Sequence, residues 1–209
     1  MTGRLIAFEG GEGSGKSTQI QRIAAHLRTC GLDPLVTREP GGTPAGLELR
    51  RLLLSETGAD WTAPAETLLM VADRAQHVAQ IVAPALAAGR IVLTDRFVGS
   101  TLAYQGAGRG ISAAFIRALH HEACGDLWPD LTIVLDLDPR IGLARSRRRL
   151  ARDGSDEARF EALDLGFHDR VRDAFRALAA PRGRVVVIDA DEPVEAVETA
   201  IRGSVEACL

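Results

Sequence analysis

Residues 10–17 read GGEGSGKS, and what flanks them decides the fold. The eight residues satisfy the spacing G-x-x-x-x-G-K-[ST]. Before them stands Leu5–Glu9, a short apolar run with the length of a buried strand. After them Ile20, Ile23, Ala24 and Leu27 recur at the spacing of one helix face, and Gly31 offers a stop. Strand, glycine-rich turn and helix, in that order, form a phosphate-binding loop. Glycines let the backbone curl until its N–H groups converge on phosphate oxygens, and the helix N-terminus adds partial positive charge. Lys16 has the reach for the β- and γ-phosphates of a nucleotide, and Ser17 has the hydroxyl for Mg²⁺. Gly10, Gly11, Glu12, Gly13, Ser14, Gly15, Lys16, Ser17 and Thr18 are therefore the candidate nucleotide contacts.

The same reading extends outward. Leu35–Arg38, Ile91–Asp95, Leu131–Asp136 and Val185–Asp189 are further apolar runs that do not alternate with polar residues. Strands buried on both faces look like this, which favours a parallel sheet. Helix-period stretches fall between them, over roughly 44–55, 64–88, 112–124, 140–151, 157–179 and 193–207. The expected fold is α/β: a P-loop NTPase-type, doubly wound, five-stranded parallel sheet flanked by helices, in a single domain over residues 1–209. In such folds ligands sit beyond the carboxyl ends of the strands. Three of those ends carry EGGEGSGKS, TREPGGT and TDRF.

Composition removes other classes. Net charge is −3 and pI about 6.0, the wrong sign for a protein that coats nucleic acid. Cys30, Cys124 and Cys208 are widely separated and show no zinc spacing, so neither a disulfide framework nor a zinc site is expected. No apolar run approaches the ~20 residues of a membrane span. MTGRLIAFEG runs directly into a strand pattern, so no signal peptide is expected and the cytoplasm is the expected location.

Several residues keep two readings at this point. Glu12, repelled by a triphosphate, points either to a sugar hydroxyl of a second substrate or to solvent. Asp95 can hold a Mg²⁺-bound water and Arg96 an acceptor phosphate, or the two form a buried ion pair. Arg74, in ADRAQHV on the long helix, reads alone as a solvated arginine or as half of an ordinary ion pair with Asp73, although adjacent helical residues do not share a face. No N/T-K-x-D guanine-reading segment is present, which disfavours a GTPase switch and favours a small kinase.

The ordered set EGGEGSGKST, TREPGGT, ADRAQHV, TDRF, STLAYQGAGRG and PDLTIVLDL resembles the bacterial type of thymidylate kinase over nearly the whole chain. The resemblance implies ATP-dependent, Mg²⁺-assisted conversion of dTMP to dTDP, usually by a homodimer, with neither nucleic acid nor membrane as partner. It implies that Lys16 and the loop hold ATP phosphates, with Ser17 and Asp95 at the metal. It implies that Arg74 and Arg96 bind the dTMP phosphate, with Arg74 also at the base, and that Arg38 and Arg50 lie on the acceptor side. Glu12 would meet the sugar 3′-OH. Thr101, Tyr104 and Gln105 would form the acceptor wall, Tyr104 where a ring excludes a ribose 2′-OH; filling the core is the other reading of Tyr104.

Three positions depart from the family pattern. Met70 stands where an aromatic residue often stacks on thymine, Gly99 where an acid is common, and Ala158 where EARFE replaces DRxE. Met70 keeps a related P-loop kinase, acting on another nucleoside monophosphate or a deoxynucleoside, as the runner-up.

Residues 145–154, RSRRRLARDG, belong to an expected lid at about 143–160. At ~100° per residue Arg145, Arg149 and Arg152 share a stripe with Arg148 alongside. Matching to the family's G-L-x-R-x-R-x-R selects Arg145, Arg147 and Arg149. Arg149 is expected at the transferring phosphate, Arg145 and Arg147 around ATP, and Arg148 and Arg152 in water.

Overall fold

The structure, a computed structural model, describes residues 3–56, 60–178 and 183–209. Its centre is one all-parallel sheet of β1 (Arg4–Glu9), β2 (Leu35–Arg38), β3 (Ile91–Asp95), β4 (Leu131–Asp136) and β5 (Arg184–Asp189), in the order β2-β3-β1-β4-β5. The chain first winds from β1 toward β3 and β2, then crosses to β4 and β5. The loop after β1 therefore opens at the point where the winding reverses, the ligand crevice of such sheets. Register brings the strand ends together, with Arg38 and Phe8 both paired to Asp95 and Glu9 paired to Val134.

Alternation along β1 divides the core. Ile6 and Phe8 pack on α1 (Lys16–Thr29) and α9 (Val194–Glu206), through Ile20, Ile23, Leu27, Val197 and Ile201. Leu5 and Ala7 face Val78, Val82 and Ala85 on the other side. Between these elements lie α2 (Pro44–Leu54), α3 (Ala63–His77), α4 (Ala83–Ala87), α5 (Val98–Thr101), α6 (Ala113–Cys124), α7 (Pro139–Asp153) and α8 (Leu165–Arg176).

Two helical expectations change. The stretch 64–88 is not one regular helix: Val78–Val82 is a π-helical turn in which Ala83 N–H bonds Val78 O. Pro84 follows with no N–H to offer the preceding turn. The stretch 157–179 shrinks to α8, because Asp164 caps the helix by accepting from Phe167 N at 2.9 Å. Residues 157–164 stay irregular, since Arg159, Phe160 and Glu161 are each anchored to different parts of the molecule. Residues 179–182 lie outside the described residues. A second π-helical turn, Leu102–Gly108, carries Tyr104 and Gln105. Such turns are frequent at functional sites.

Candidate active site

A cavity of about 950 Å³ opens over the carboxyl ends of β1, β2 and β3. The phosphate loop forms one end. Gly10, Gly13 and Gly15 have φ of 136°, 64° and 89°. At Gly13 the close approach is decisive, because a Cβ there would lie 2.1 Å from Gly142 O. Lys16 is buried and its Nζ donates to Gly10 O at 3.0 Å, Gly11 O at 2.8 Å and Ser14 Oγ at 3.3 Å. Burial and the Arg96 charge pull the ammonium down to about 8, against Asp95, Glu12 and Glu9. Ser14, Gly15, Ser17 and Thr18 line the cavity, while Gly10 and Gly11 support it from behind through their carbonyls.

Ser17 Oγ donates to Asp95 Oδ2 at 2.8 Å, so the two expected metal-side residues meet. No cluster of three or more His, Cys, Asp or Glu side chains suited to a metal exists among the described residues. One hydroxyl and one carboxylate beside a phosphate loop fit Mg²⁺, which usually keeps several waters and takes its other ligands from substrate phosphates.

The other end is cationic. Arg96 is the one described non-glycine residue at positive φ, 70°. Its N–H bonds Phe8 O at 2.9 Å, and its guanidinium donates to Gly10 O, Ser100 Oγ and Tyr104 OH at 3.1, 3.0 and 3.2 Å. Its Cζ lies 4.9 Å from the Tyr104 ring centroid. The strained backbone is fixed by Glu9, which is fully buried and accepts from Phe97 N, Ser100 N and Ser100 Oγ at 3.0, 3.1 and 2.6 Å. Burial pushes the Glu9 carboxyl up to about 7, although Ser100, Arg96 and the backbone amides oppose it. A Cβ on Gly99 would stand 2.7 Å from Glu9 Oε1, so at this position the departure from an acid leaves room for Glu9.

Glu12 turns away from the loop's amides. Oε1 accepts from Tyr104 OH and lies 3.4 Å from Arg96 Nη2, while Oε2 lies 3.3 Å from His168 Nδ1. Burial alone would raise this carboxyl, but His168, Arg96, Tyr104 and Lys16 together hold it at about 2. The solvent-facing reading of Glu12 is thereby removed, since its side chain is 8% exposed. Tyr104 both lines the cavity and packs edge-on against Phe160, Phe167 and Phe175.

Arg74 is not a solvated arginine. It donates to Glu39 Oε2 at 2.8 Å and Thr101 Oγ1 at 2.9 Å, with only 3% of its side chain exposed. Its Nη1 is buried without a hydrogen-bond partner. Glu39 also meets His77 Nδ1 at 2.8 Å. Beside it burial, reinforced by the Glu39 charge, pushes Asp73 up to about 6, despite the bond from Gly41 N and the charges of His77 and Arg74. Arg38 is exposed at the end of β2 on the cavity wall, and Met70 is half-buried against the Tyr104 cluster. Gln105 donates to Glu66 Oε1 at 2.8 Å.

Within the segment expected as a lid, Asp153, Ser155, Glu157 and Phe160 line the cavity. Arg50 forms a bidentate pair with Glu157 at 2.9 and 2.6 Å, Glu56 N donates to Asp156 O, and Arg159 reaches Leu53 O and Glu66. Arg145 and Arg149 line the cavity. Arg149 donates to Ser146 Oγ, whose own hydroxyl bonds the buried Glu161 at 2.7 Å. Arg147 differs from expectation: it is not on the cavity wall, and donates to Glu161 O at 2.8 Å. Two residues from either neighbour, it sits on another helix face. Arg148 and Arg152 are exposed.

Sequence reasoning passed over Glu9, Glu39, Glu66, Glu161 and His168. Glu9 and Glu39 stood inside quoted motifs at strand ends, and that position was their signal. Glu161 closed the quoted EARFE, while Glu66 and His168 find their partners across the chain and nothing local marks them.

The family model for thymidylate kinase matches residues 8–201. The chain belongs to the thymidylate kinase family. It is 59% identical over 197 residues to thymidylate kinase of Cereibacter sphaeroides, covering 94% of this chain and 91% of that one. It is 49% identical over 207 residues to thymidylate kinase of Magnetococcus marinus, covering 99% and 97%. The crystal structure of thymidylate kinase from Ehrlichia chaffeensis superposes with a TM-score of 0.75 at 31% identity, covering 98% of this chain and all of that one. Family membership makes the chain a nucleoside monophosphate kinase, a phosphotransferase.

Proposed function

We propose that the chain phosphorylates dTMP to dTDP with ATP as donor, by in-line transfer within the cavity. The observation that carries this reading is that two anion-binding ends, the phosphate loop and the Arg96–Arg74 side, face one cavity of about 950 Å³. Family membership supports dTMP as acceptor and does not favour the runner-up kinase.

The loop amides, Lys16 and Arg145 would hold ATP, and Ser17 with Asp95 would hold Mg²⁺, which when bound neutralises charge on the phosphoryl oxygens. Arg96, fixed by Glu9, holds the acceptor phosphate in line. Arg74 and Thr101 orient the acceptor, and Met70 gives its base an apolar face. Glu12 and Tyr104 bound the sugar. Arg149 supplies positive charge where the transferring group passes, and positioned charge of this kind is the main source of rate in phosphoryl transfer. The lid, about 143–160, would exclude water that could otherwise take the phosphoryl group.

The proposed assembly is a homodimer: Leu52 on α2 and Leu68 on α3 are each 50% exposed, and these helices pack side by side. No helix among the described residues is long and apolar enough to cross a membrane; the proposed location is the cytoplasm. The test of the reaction is chromatographic detection of dTDP from dTMP and ATP, dependent on Mg²⁺; absence of dTDP contradicts it.

A further inference from the structure

We infer that His168 is a positioning residue for Glu12, binding its second carboxylate oxygen and tying it to the end of the lid. The inference rests on the reading of Glu12 as the acceptor-side acid.

His168 lies on α8, outside every motif that marks the site, and only 3% of its side chain is exposed. Its two ring nitrogens have different partners. Nε2 stands 3.1 Å from Phe160 O. A carbonyl oxygen only accepts, so Nε2 carries hydrogen in this contact. Nδ1 faces Glu12 Oε2 at 3.3 Å. An ionised carboxylate also only accepts, so the contact is attractive when Nδ1 carries hydrogen too. Phe167, edge-on at 5.3 Å, fixes the plane of the ring.

Glu12 makes unequal use of its two oxygens. Tyr104 and Arg96 both engage Oε1. Oε2 is buried with no aligned hydrogen bond, and His168 Nδ1 stands 3.3 Å from it. Without that contact the carboxyl could turn about its last bond while keeping Oε1 near Tyr104. With it, the plane of the carboxylate is set. Phe160, at the other nitrogen, is followed by Glu161, which holds Ser146 and through it Arg149. One imidazole thus joins the loop acid to the segment that carries the lid's arginine. Apo active sites commonly hold such contacts long and tighten them on substrate binding.

Two substitutions separate the two nitrogens. In His168→Asn the amide nitrogen takes the place of Nδ1 and keeps a donor toward Glu12. In His168→Gln it reaches toward the place of Nε2 and keeps the bond to Phe160 O. Steady-state kinetics on both, on Glu12→Gln and on the double variant Glu12→Gln/His168→Gln form the test, with melting temperature as the folding control. The expected result is a loss of about tenfold or more in kcat/KM for dTMP in His168→Gln, the size of one lost contact to a charged group, with KM for ATP unchanged. His168→Asn retains most of the parental value, and His168→Gln adds nothing on the Glu12→Gln background. Equal losses in the Asn and Gln variants, or a Gln effect that persists without the Glu12 carboxylate, would overturn the inference. No turnover of dTMP by the unchanged chain would instead overturn the reaction, and the inference with it.

Discussion

Ser17 Oγ and Asp95 Oδ2 are 2.8 Å apart, joining the first turn of α1 to the end of β3 beside the phosphate loop. Neither side chain has a structural need for the other: Ser17 is exposed and both line the cavity. If they hold Mg²⁺ from that position, Asp95→Asn raises the Mg²⁺ concentration for half-maximal rate by about tenfold, the usual cost of losing a metal-orienting carboxylate. Initial rates against free Mg²⁺ measure it, and an unchanged Mg²⁺ requirement contradicts the assignment.

The lid arginines are predicted to be unequal. Arg149→Ala lowers kcat by about 10²–10³-fold, the cost of removing one charged donor from a transition state. Arg147→Ala stays within about threefold of the parent, as substitutions away from the reacting groups do. Single-turnover rates on the two variants settle the order, and equal losses would return Arg147 to the ATP site.

Arg74 and Glu39 form an ion pair with 3% of each side chain exposed. Glu39→Ala leaves the guanidinium buried without its carboxylate, which costs ~3–5 kcal/mol. Urea unfolding of the unliganded protein is the check. A loss below about 1 kcal/mol, the value of a surface pair, would show that the arginine finds solvent instead.

Glu9 gives a pH dependence with a definite sign. Its folded carboxyl is raised from 4.5 to about 7, so between those values the folded chain binds the extra proton. Stability from this group is therefore lost as pH rises from about 4.5 to 7, by on the order of 3 kcal/mol. Glu9→Gln, which keeps an oxygen acceptor for Phe97 N and Ser100 N, removes that slope. Melting temperatures from pH 5 to 8 test it: the parent falls relative to the variant, and parallel curves contradict the assignment.

Much of this was legible from residue order. The five strands stood out as short apolar runs without polar alternation, although only β1, β3 and β4 are buried on both faces and the edge strands β2 and β5 are partly exposed, and the loop stood out because its glycines have a stated geometric task. What lay hidden was long-range. Glu66 collects Gln105, Arg109 and Arg159 from segments far from α3, and no local pattern announces such a meeting. Residues 157–164 read as helix because apolar periodicity ignores that Phe160 and Glu161 are pulled to different neighbours. Arg147 shows the limit of motif matching: spacing of two places adjacent matches on different faces of α7.

Acceptor identity is read most directly from coupled ADP release with dTMP, dUMP, dCMP and thymidine under identical ATP and Mg²⁺. The highest kcat/KM is expected with dTMP, and no ADP release with thymidine, which lacks the phosphate that Arg96 would hold. Faster turnover of dCMP or thymidine, or no release dependent on dTMP, would contradict it.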